Sequence, residues 1–286
     1  MKVVRSVAGM TRQALVWRRA GATVALVPTM GALHPGHISL VSQARRLAGP
    51  DGAVVLSIYV NPTQFGENED FAAYPRDLKA DRGLCRLAGV DLLFAPSDRD
   101  MYPRSNEIPY SSFVAEENLS QLMEGASRPT HFRGVTTVVA KLFNLTLPDF
   151  AILGAKDFQQ AAIIRKMARD LNFPVKIVVA DTFREPDGLA MSSRNRYLTP
   201  EQRTQATVLH RSILLARSQA RSNPLPAADL KARIADLVAA EPLARLDYAE
   251  IFDPHTLRPV PMAKRGSRLA LAVFFGKTRL IDNGVL

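Results

Sequence analysis

The chain has 286 residues, 47% apolar and 22% charged, which is enough for a substantial core and two domains and too apolar for a disordered chain. Its single cysteine, Cys85, excludes an internal disulfide, no Cys/His cluster offers a zinc site, and its apolar, helix-spaced neighbours make it a buried bystander. The net charge is +10, with 13 Lys/Arg against 7 Asp/Glu from Arg203 onward, but without extended Lys/Arg runs and with few aromatics nucleic acid ranks last among partners.

Met1 to Ser6 opens no long apolar segment and no stretch reaches the length of a membrane span, so a cytoplasmic protein with no membrane partner is expected. The periodicity predicts a buried strand at Thr23 to Val27, a helix at Ile38 to Leu47 and a strand at Ala53 to Val60. A helix at Arg76 to Ala88, a strand at Val90 to Phe94 and an apolar helix at Val135 to Leu145 follow. Next come a short strand at Ala151 to Leu153, a helix at Phe158 to Leu171 and a strand at Val175 to Ala180. This β-then-α order predicts an α/β fold with a Rossmann-like, doubly wound parallel sheet.

Composition shifts after about residue 182. Helical stretches near Glu201 to Arg221 and Ala227 to Ala240 are separated by Pro224 and Pro226, and strands are predicted at Leu246 to Phe252 and Leu269 to Phe275. The expected organisation is a first domain over residues 1–182 and a second, smaller α+β domain over residues 183–286.

Pro28 to His37 follows the first long strand and opens the first predicted helix. In a parallel sheet the carboxyl ends of the strands face the ligand crevice. Gly31 and Gly36 permit close backbone approach, and the helix start directs its amides and positive dipole end at an anion. His34 and His37 can donate to phosphate oxygens or, as cations, neutralise charge on a leaving group. A helix-capping histidine pair is the bland alternative. The placement after a strand and before a helix favours function.

Four further segments agree. Asn61 and Gln64 offer neutral donors and acceptors where the second long strand ends, although Asn61-Pro62 alone is ordinary turn chemistry. Glu124 to Val135 is a basic loop, with Arg128 and His131, leading into a helix. Gly154 to Gln160 repeats the strand-to-helix geometry. Within it Lys156 suits phosphates, Asp157 suits Mg²⁺ or a ribose hydroxyl, and Gln160 lies one turn on. Met191 to Leu198 places Ser192, Ser193 and Arg194 in succession, a donor set matched to a triphosphate.

His34-Pro35-Gly36-His37 resembles the adenylate-forming signature of the nucleotidyltransferase superfamily, which includes class I aminoacyl-tRNA synthetases. The longer string from Pro28 to His37 resembles the pantoate–β-alanine ligase family. Val60 to Phe65, Glu124 to Val135, Gly154 to Gln160 and Met191 to Leu198 are similar to the same family, in the same order. The resemblance implies condensation of pantoate with β-alanine, with ATP consumed through an acyl adenylate. It implies ATP contacts at Met30, Gly31, Ala32, Leu33, His34, Pro35, Gly36, His37, Gly154, Ala155, Lys156, Asp157, Phe183, Met191, Ser192, Ser193 and Arg194. Gln64 would touch pantoate and β-alanine and Gln160 pantoate, with Asn61, Arg128 and His131 on the substrate wall. His34, His37, Lys156 and Arg194 would carry catalysis, His37 as proton donor to the leaving group.

Mg²⁺ would bridge phosphate oxygens, with Asp157 the one protein ligand considered. The second domain would close as a lid, and the chain would form a homodimer. The chain departs from the family at Ala155, where Glu or Gln is usual, and at Phe183, where a small aliphatic is usual. A nucleotidyltransferase that leaves AMP or CMP in its product would share the crevice, but the Asn61 to Gln64 block and the extra domain argue against it. A tRNA synthetase would need more chain for an anticodon-binding module.

Overall fold

The computed structural model describes residues 1–67, 69–103 and 109–286. It divides into two compact units. The first comprises Met1–Ser120, Arg128–Ala155 and Gln160–Asp181, and the second comprises Gln121–Ser127, Lys156–Gln159 and Thr182–Leu286. Two segments expected in the first domain, Gln121–Ser127 and Lys156–Gln159, thus pack with the second.

The first unit is built on six parallel strands: β1 (Lys2–Val4), β2 (Val24–Thr29), β3 (Ala53–Ile58), β4 (Leu92–Phe94), β5 (Phe150–Gly154) and β6 (Lys176–Ala180). Their order across the sheet is β1-β4-β3-β2-β5-β6. Helices α1 (Val7–Arg19), α2 (Pro35–Ala48), α3 (Leu78–Leu87), α4 (Asp98–Met101), α5 (Glu124–Ser127), α6 (His131–Thr146) and α7 (Phe158–Asp170) follow in chain order, with α5 and the first two residues of α7 in the second unit.

The central strands are buried on both faces. Ala25, Val27, Val54, Leu56 and Ile152 join the residues of α2 in one cluster. Their neighbours Leu26, Val55 and Ala151 are equally buried and alternate to the opposite face. Continuous apolar runs, rather than alternating ones, are the signature of such doubly covered strands, which is why β2 and β3 were legible. Strand order reverses between β2 and β5, which pair at Ala25↔Phe150 and Leu26↔Ala151. A crevice is expected outside the carboxyl ends of this pair.

β1 and α1 were not predicted. β1 is only three residues long, and α1 buries little beyond Met10 and Ala14 while exposing Leu15 and Val16, so its periodicity is blurred. Cys85 is buried in the first unit's core, and desolvation, with the Asp81 carboxylate adding to it, pushes its thiol up to about 11. It stays neutral and inert, as its apolar neighbours predicted.

The second unit carries α8 (Pro200–Gln205), α9 (Val208–Ser222) and α10 (Ala227–Ala239). Its strands are β7 (Leu225–Pro226), β8 (Ala244–Phe252), β9 (Met262–Ala263), β10 (Arg268–Phe275) and β11 (Thr278–Val285), with β11-β10-β8 forming an antiparallel sheet. Packing of α9 and α10 on this sheet buries Leu209, Ile213, Leu230, Ile234, Leu269 and Leu271 together. The helix predicted from Glu201 to Arg221 is interrupted at Ala206 and Thr207, where the Thr207 hydroxyl donates to the Thr204 carbonyl and competes with the helical ladder. No helix among the described residues is long and apolar enough to cross a membrane.

Leu271 lies fully buried on the central strand β10. Leu271→Ala is expected to cost about 2–5 kcal/mol through lost transfer energy and a residual cavity. In urea unfolding the midpoint should fall with the slope unchanged. A wild-type midpoint would show that this cluster does not limit stability.

Candidate active site

The chain leaves β2 through a strained turn. Gly31 has φ +83° and Ala32 φ +51°, both in the left-handed region that only glycine enters freely. Four hydrogen bonds hold the turn. The Thr29 hydroxyl donates to the Ser57 carbonyl at 2.7 Å while accepting from Gly31 N at 3.1 Å. The buried carboxylate of Asp81, on α3, accepts from Ala32 N at 2.9 Å and from Leu33 N at 2.8 Å. His34 is the N-cap of α2 and Pro35 its first residue, where a missing N–H costs nothing. The His34 and His37 rings lie half-buried side by side, centroids 4.0 Å apart at the helix start.

A second constellation surrounds Gln64 in the same unit. Asn61 is 1% exposed, and both its amide hydrogens are used, toward Gln64 Oε1 at 3.0 Å and the Gly134 carbonyl at 3.1 Å. Asn61 Oδ1 accepts from Tyr102 at 2.8 Å and from the Thr63 hydroxyl at 3.0 Å. Gln64 Nε2 in turn points at Met30 Sδ, 3.2 Å away. The Gln64 carbonyl meets His131 Nδ1 at 2.9 Å and accepts from Arg128 Nη2 at 3.3 Å. Arg128 also grips Glu69 in a two-pronged pair, Nε to Oε1 at 2.7 Å. Burial raises the Glu69 carboxyl, but the Arg128 hydrogen bond and charge outweigh it and hold the group below its ordinary value. Gly134 is obligatory here, because a Cβ would lie 2.4 Å from the Thr63 carbonyl oxygen.

β5 ends at Gly154, where a Cβ would meet nothing within 4 Å, so its backbone faces open space. Ala155 follows it, and Gln160 sits half-buried on the first turn of α7.

The remaining expected residues lie in the second unit. Lys156 Nζ stands 3.5 Å from Asp157 Oδ1, and the Lys156 carbonyl accepts from Asn283 Nδ2 at 2.8 Å. Phe183 exposes its ring, and its carbonyl accepts from Met191 N at 3.0 Å. Ser192 caps a short 3₁₀ turn, Ser193–Tyr197, by accepting from Arg194 N at 3.3 Å. Asn195 Nδ2 ties this turn back to Glu185 Oε1 at 2.7 Å and the Ala190 carbonyl at 3.1 Å.

Comparison with known proteins is decisive. Residues 2–285 match the model of a family described as pantoate-beta-alanine ligase. The chain belongs to the pantoate–β-alanine ligase family. A pantothenate synthetase from Moorella thermoacetica is 49% identical, covering 100% of this chain and 99% of that protein. One from Geobacter sulfurreducens is 50% identical with the same coverage. Among solved structures, pantothenate synthetase from Thermus thermophilus superposes with a TM-score of 0.89 at 46% identity, over 100% of this chain and 99% of that one. The pantoate–β-alanine ligase from Francisella tularensis, solved with β,γ-ATP and β-alanine, gives a TM-score of 0.79 at 34% identity, over 100% of this chain and 97% of that one.

In this pantoate–β-alanine ligase family member, Met30, Asn61, Gln64, Arg128 and His131 are joined through hydrogen bonds around Gln64. Gln160 makes no hydrogen bond to them among the described residues. Asn61 has no amide hydrogen left to offer, so its place is to orient Gln64. Three residues that sequence reasoning missed support the site. Asp81 and Glu69 look like surface acids in a helix and a loop, and Tyr102 like core. Their partners lie 48, 59 and 41 residues away, beyond the reach of local pattern. Among the described residues no group of three or more His, Cys, Asp or Glu could hold a metal.

Asp81→Asn replaces one acceptor with a donor facing a backbone N–H. Hydrogen bonds to a buried charge are worth about 1.5–3 kcal/mol each, so stability should fall by about 2–3 kcal/mol. Amide exchange at Ala32 and Leu33 should accelerate more than elsewhere in the unit. Unchanged protection at both amides would remove Asp81 from this role.

Proposed function

We propose that the protein joins pantoate to β-alanine with consumption of ATP. The pantoate carboxylate attacks the α-phosphorus and expels pyrophosphate. The β-alanine amine then attacks the carbonyl of pantoyl adenylate, forming the amide of pantothenate and expelling AMP. The observation that supports this most is the pairing of two imidazoles at the mouth of α2 with the open backbone of Gly154, at the carboxyl ends of the two strands where the sheet order reverses.

Neither step needs a protein nucleophile, so positioning and charge stabilisation carry the catalysis. His34 and His37 serve the phosphates, with the His37 imidazolium donating its proton to the departing pyrophosphate. The N-terminal amides of α2 and the turn from Met30 to Leu33 line the nucleotide contact, as do Gly36, Gly154 and Ala155. Gln64 orients pantoate and β-alanine, and Gln160 pantoate. Arg128 and His131 act on Gln64 through its main-chain carbonyl.

In the second unit Lys156, Ser192, Ser193 and Arg194 supply charge and donors for the polyphosphate. Ser192 accepts from Arg194 N through a lone pair, which leaves its hydroxyl hydrogen to donate outward. Phe183 and Met191 flank the adenosine. Asp157 is the carboxylate that would stand beside a Mg²⁺ ion held mainly by the substrate rather than by a protein cage. When bound, the ion neutralises phosphate charge. Two copies of the chain assemble as a homodimer, the state that the family resemblance implies, and the protein works in the cytoplasm.

The test is an assay of AMP release in which ATP, pantoate and β-alanine are omitted in turn. Free AMP should require all three. AMP retained in the product, or release without pantoate, would point instead to a nucleotidyltransferase. His37→Ala should slow pantoate-dependent pyrophosphate release by about 10²-fold or more, while Gln64→Ala should raise the KM for pantoate more than that for ATP.

A further inference from the structure

The last strand of the second unit carries two adjacent buried polar side chains that the steps above do not use. Asp282 is 2% exposed and Asn283 5%. Strand alternation sends them to opposite faces of the sheet, and each reaches a different segment of the same unit.

On one face, Arg184 forks onto the carboxylate, Nη1 to Asp282 Oδ2 at 2.6 Å and Nη2 to Oδ1 at 3.0 Å. The same Nη1 donates to the Gly188 carbonyl at 2.9 Å and closes the turn that brings the chain back from Arg184 to Ala190. Met191 to Arg194 follows at once. The packing is tight, since a Cβ on Gly188 would lie 1.9 Å from His210 Nδ1. Arg203 braces the outer side through Glu185 at 2.6 Å and Asp187 at 2.7 Å. Asp282 ties the loop to the sheet through a carboxylate whose side chain is fully buried.

On the other face, Asn283 Nδ2 donates to the Lys156 carbonyl at 2.8 Å, and Asn283 Oδ1 accepts from Arg268. The Arg268 guanidinium lies 3.9 Å over the ring of Phe158, two residues past Lys156. The Lys156 turn is thus clamped from both ends by one strand and its neighbour.

An apolar pair at these positions would pack into the core without the desolvation that a buried carboxylate and guanidinium incur. What the polar pair supplies is fixed direction. We infer that Asp282 and Asn283 are positioning residues that register Lys156 against the Ser192 to Arg194 loop, so that both meet one polyphosphate. The inference rests on the ligase reading above.

Asn283→Ala and Asp282→Asn in the full chain test it. Pantoate-dependent exchange of pyrophosphate into ATP reads the first step. Conversion of supplied pantoyl adenylate and β-alanine to pantothenate reads the second, which needs no triphosphate. In both variants the KM for ATP in exchange should rise about tenfold or more. The second step should stay within about twofold of wild type. Asn283→Asp, which keeps shape but cannot donate to the Lys156 carbonyl, should reproduce the exchange defect. Asn283→Ala leaves the buried Arg184–Asp282 pair intact and carries the test if Asp282→Asn fails to fold by thermal melting. A wild-type KM for ATP in a folded variant, or equal loss in both steps, would overturn the positioning role. Absence of pantoate-dependent exchange in the unaltered enzyme would instead overturn the ligase reading.

Discussion

The carboxylate of Asp81 holds together the part of the molecule on which everything else in the first unit depends. A non-glycine residue in the left-handed region costs about 1–2 kcal/mol, and Ala32 sits there at φ +51°. Two charge-assisted hydrogen bonds from consecutive backbone amides, in a site with almost no water, offset that cost. Without them the turn has no reason to persist, and His34 would lose its fixed approach to α2. The strain and its compensation belong to one feature: a tight left-handed turn at the carboxyl end of β2 whose amides are held by Thr29 and Asp81.

The same logic recurs around Gln64 with neutral groups. Asn61 joins the Gln64 side chain, the carbonyl of Gly134 and the hydroxyls of Tyr102 and Thr63. Every hydrogen-bonding atom of its amide is occupied, so the network is rigid rather than merely polar. Burial raises the Tyr102 phenol to about 12, so it remains a protonated donor across the physiological range. Gly134 admits α6 close enough for its carbonyl to take part. Asn61, held from four directions, in turn fixes the Gln64 side chain, so that amide is ordered in advance of any ligand.

Legibility divided along physical lines. Continuous apolar runs gave away β2, β3 and β5, and the order of strands and helices gave away the parallel sheet. The motifs at Pro28 to His37 and Met191 to Leu198 stood out because they combine glycines, imidazoles, hydroxyls and guanidinium at strand-to-helix junctions. β11 did not stand out. Arg279, Asp282 and Asn283 interrupt its apolar pattern, and their partners Glu124, Arg184 and Lys156 are 155, 98 and 127 residues away. The same long-range bonds explain why Gln121–Ser127 and Lys156–Gln159 pack with the second unit although they lie within the first in sequence. Domain membership here is set by ion pairs and amide contacts that no local window contains.

Arg279 makes this concrete. Its guanidinium forks onto Glu124 with two bonds of 2.8 Å and also reaches Asp247, while Tyr248 donates to Glu124 Oε1 at 2.9 Å. Surface ion pairs of this kind contribute little, but this guanidinium is only 17% exposed and its partner Glu124 10%. Removing one partner there would strand a buried charge. The segment so held ends one residue before Arg128, which grips the main chain of Gln64. Within the second unit this segment is held by a desolvated charge network, and within the first unit Arg128 is held by the main chain of Gln64. The buried polar groups thus fix the connections of the chain as firmly as the apolar clusters fix its cores.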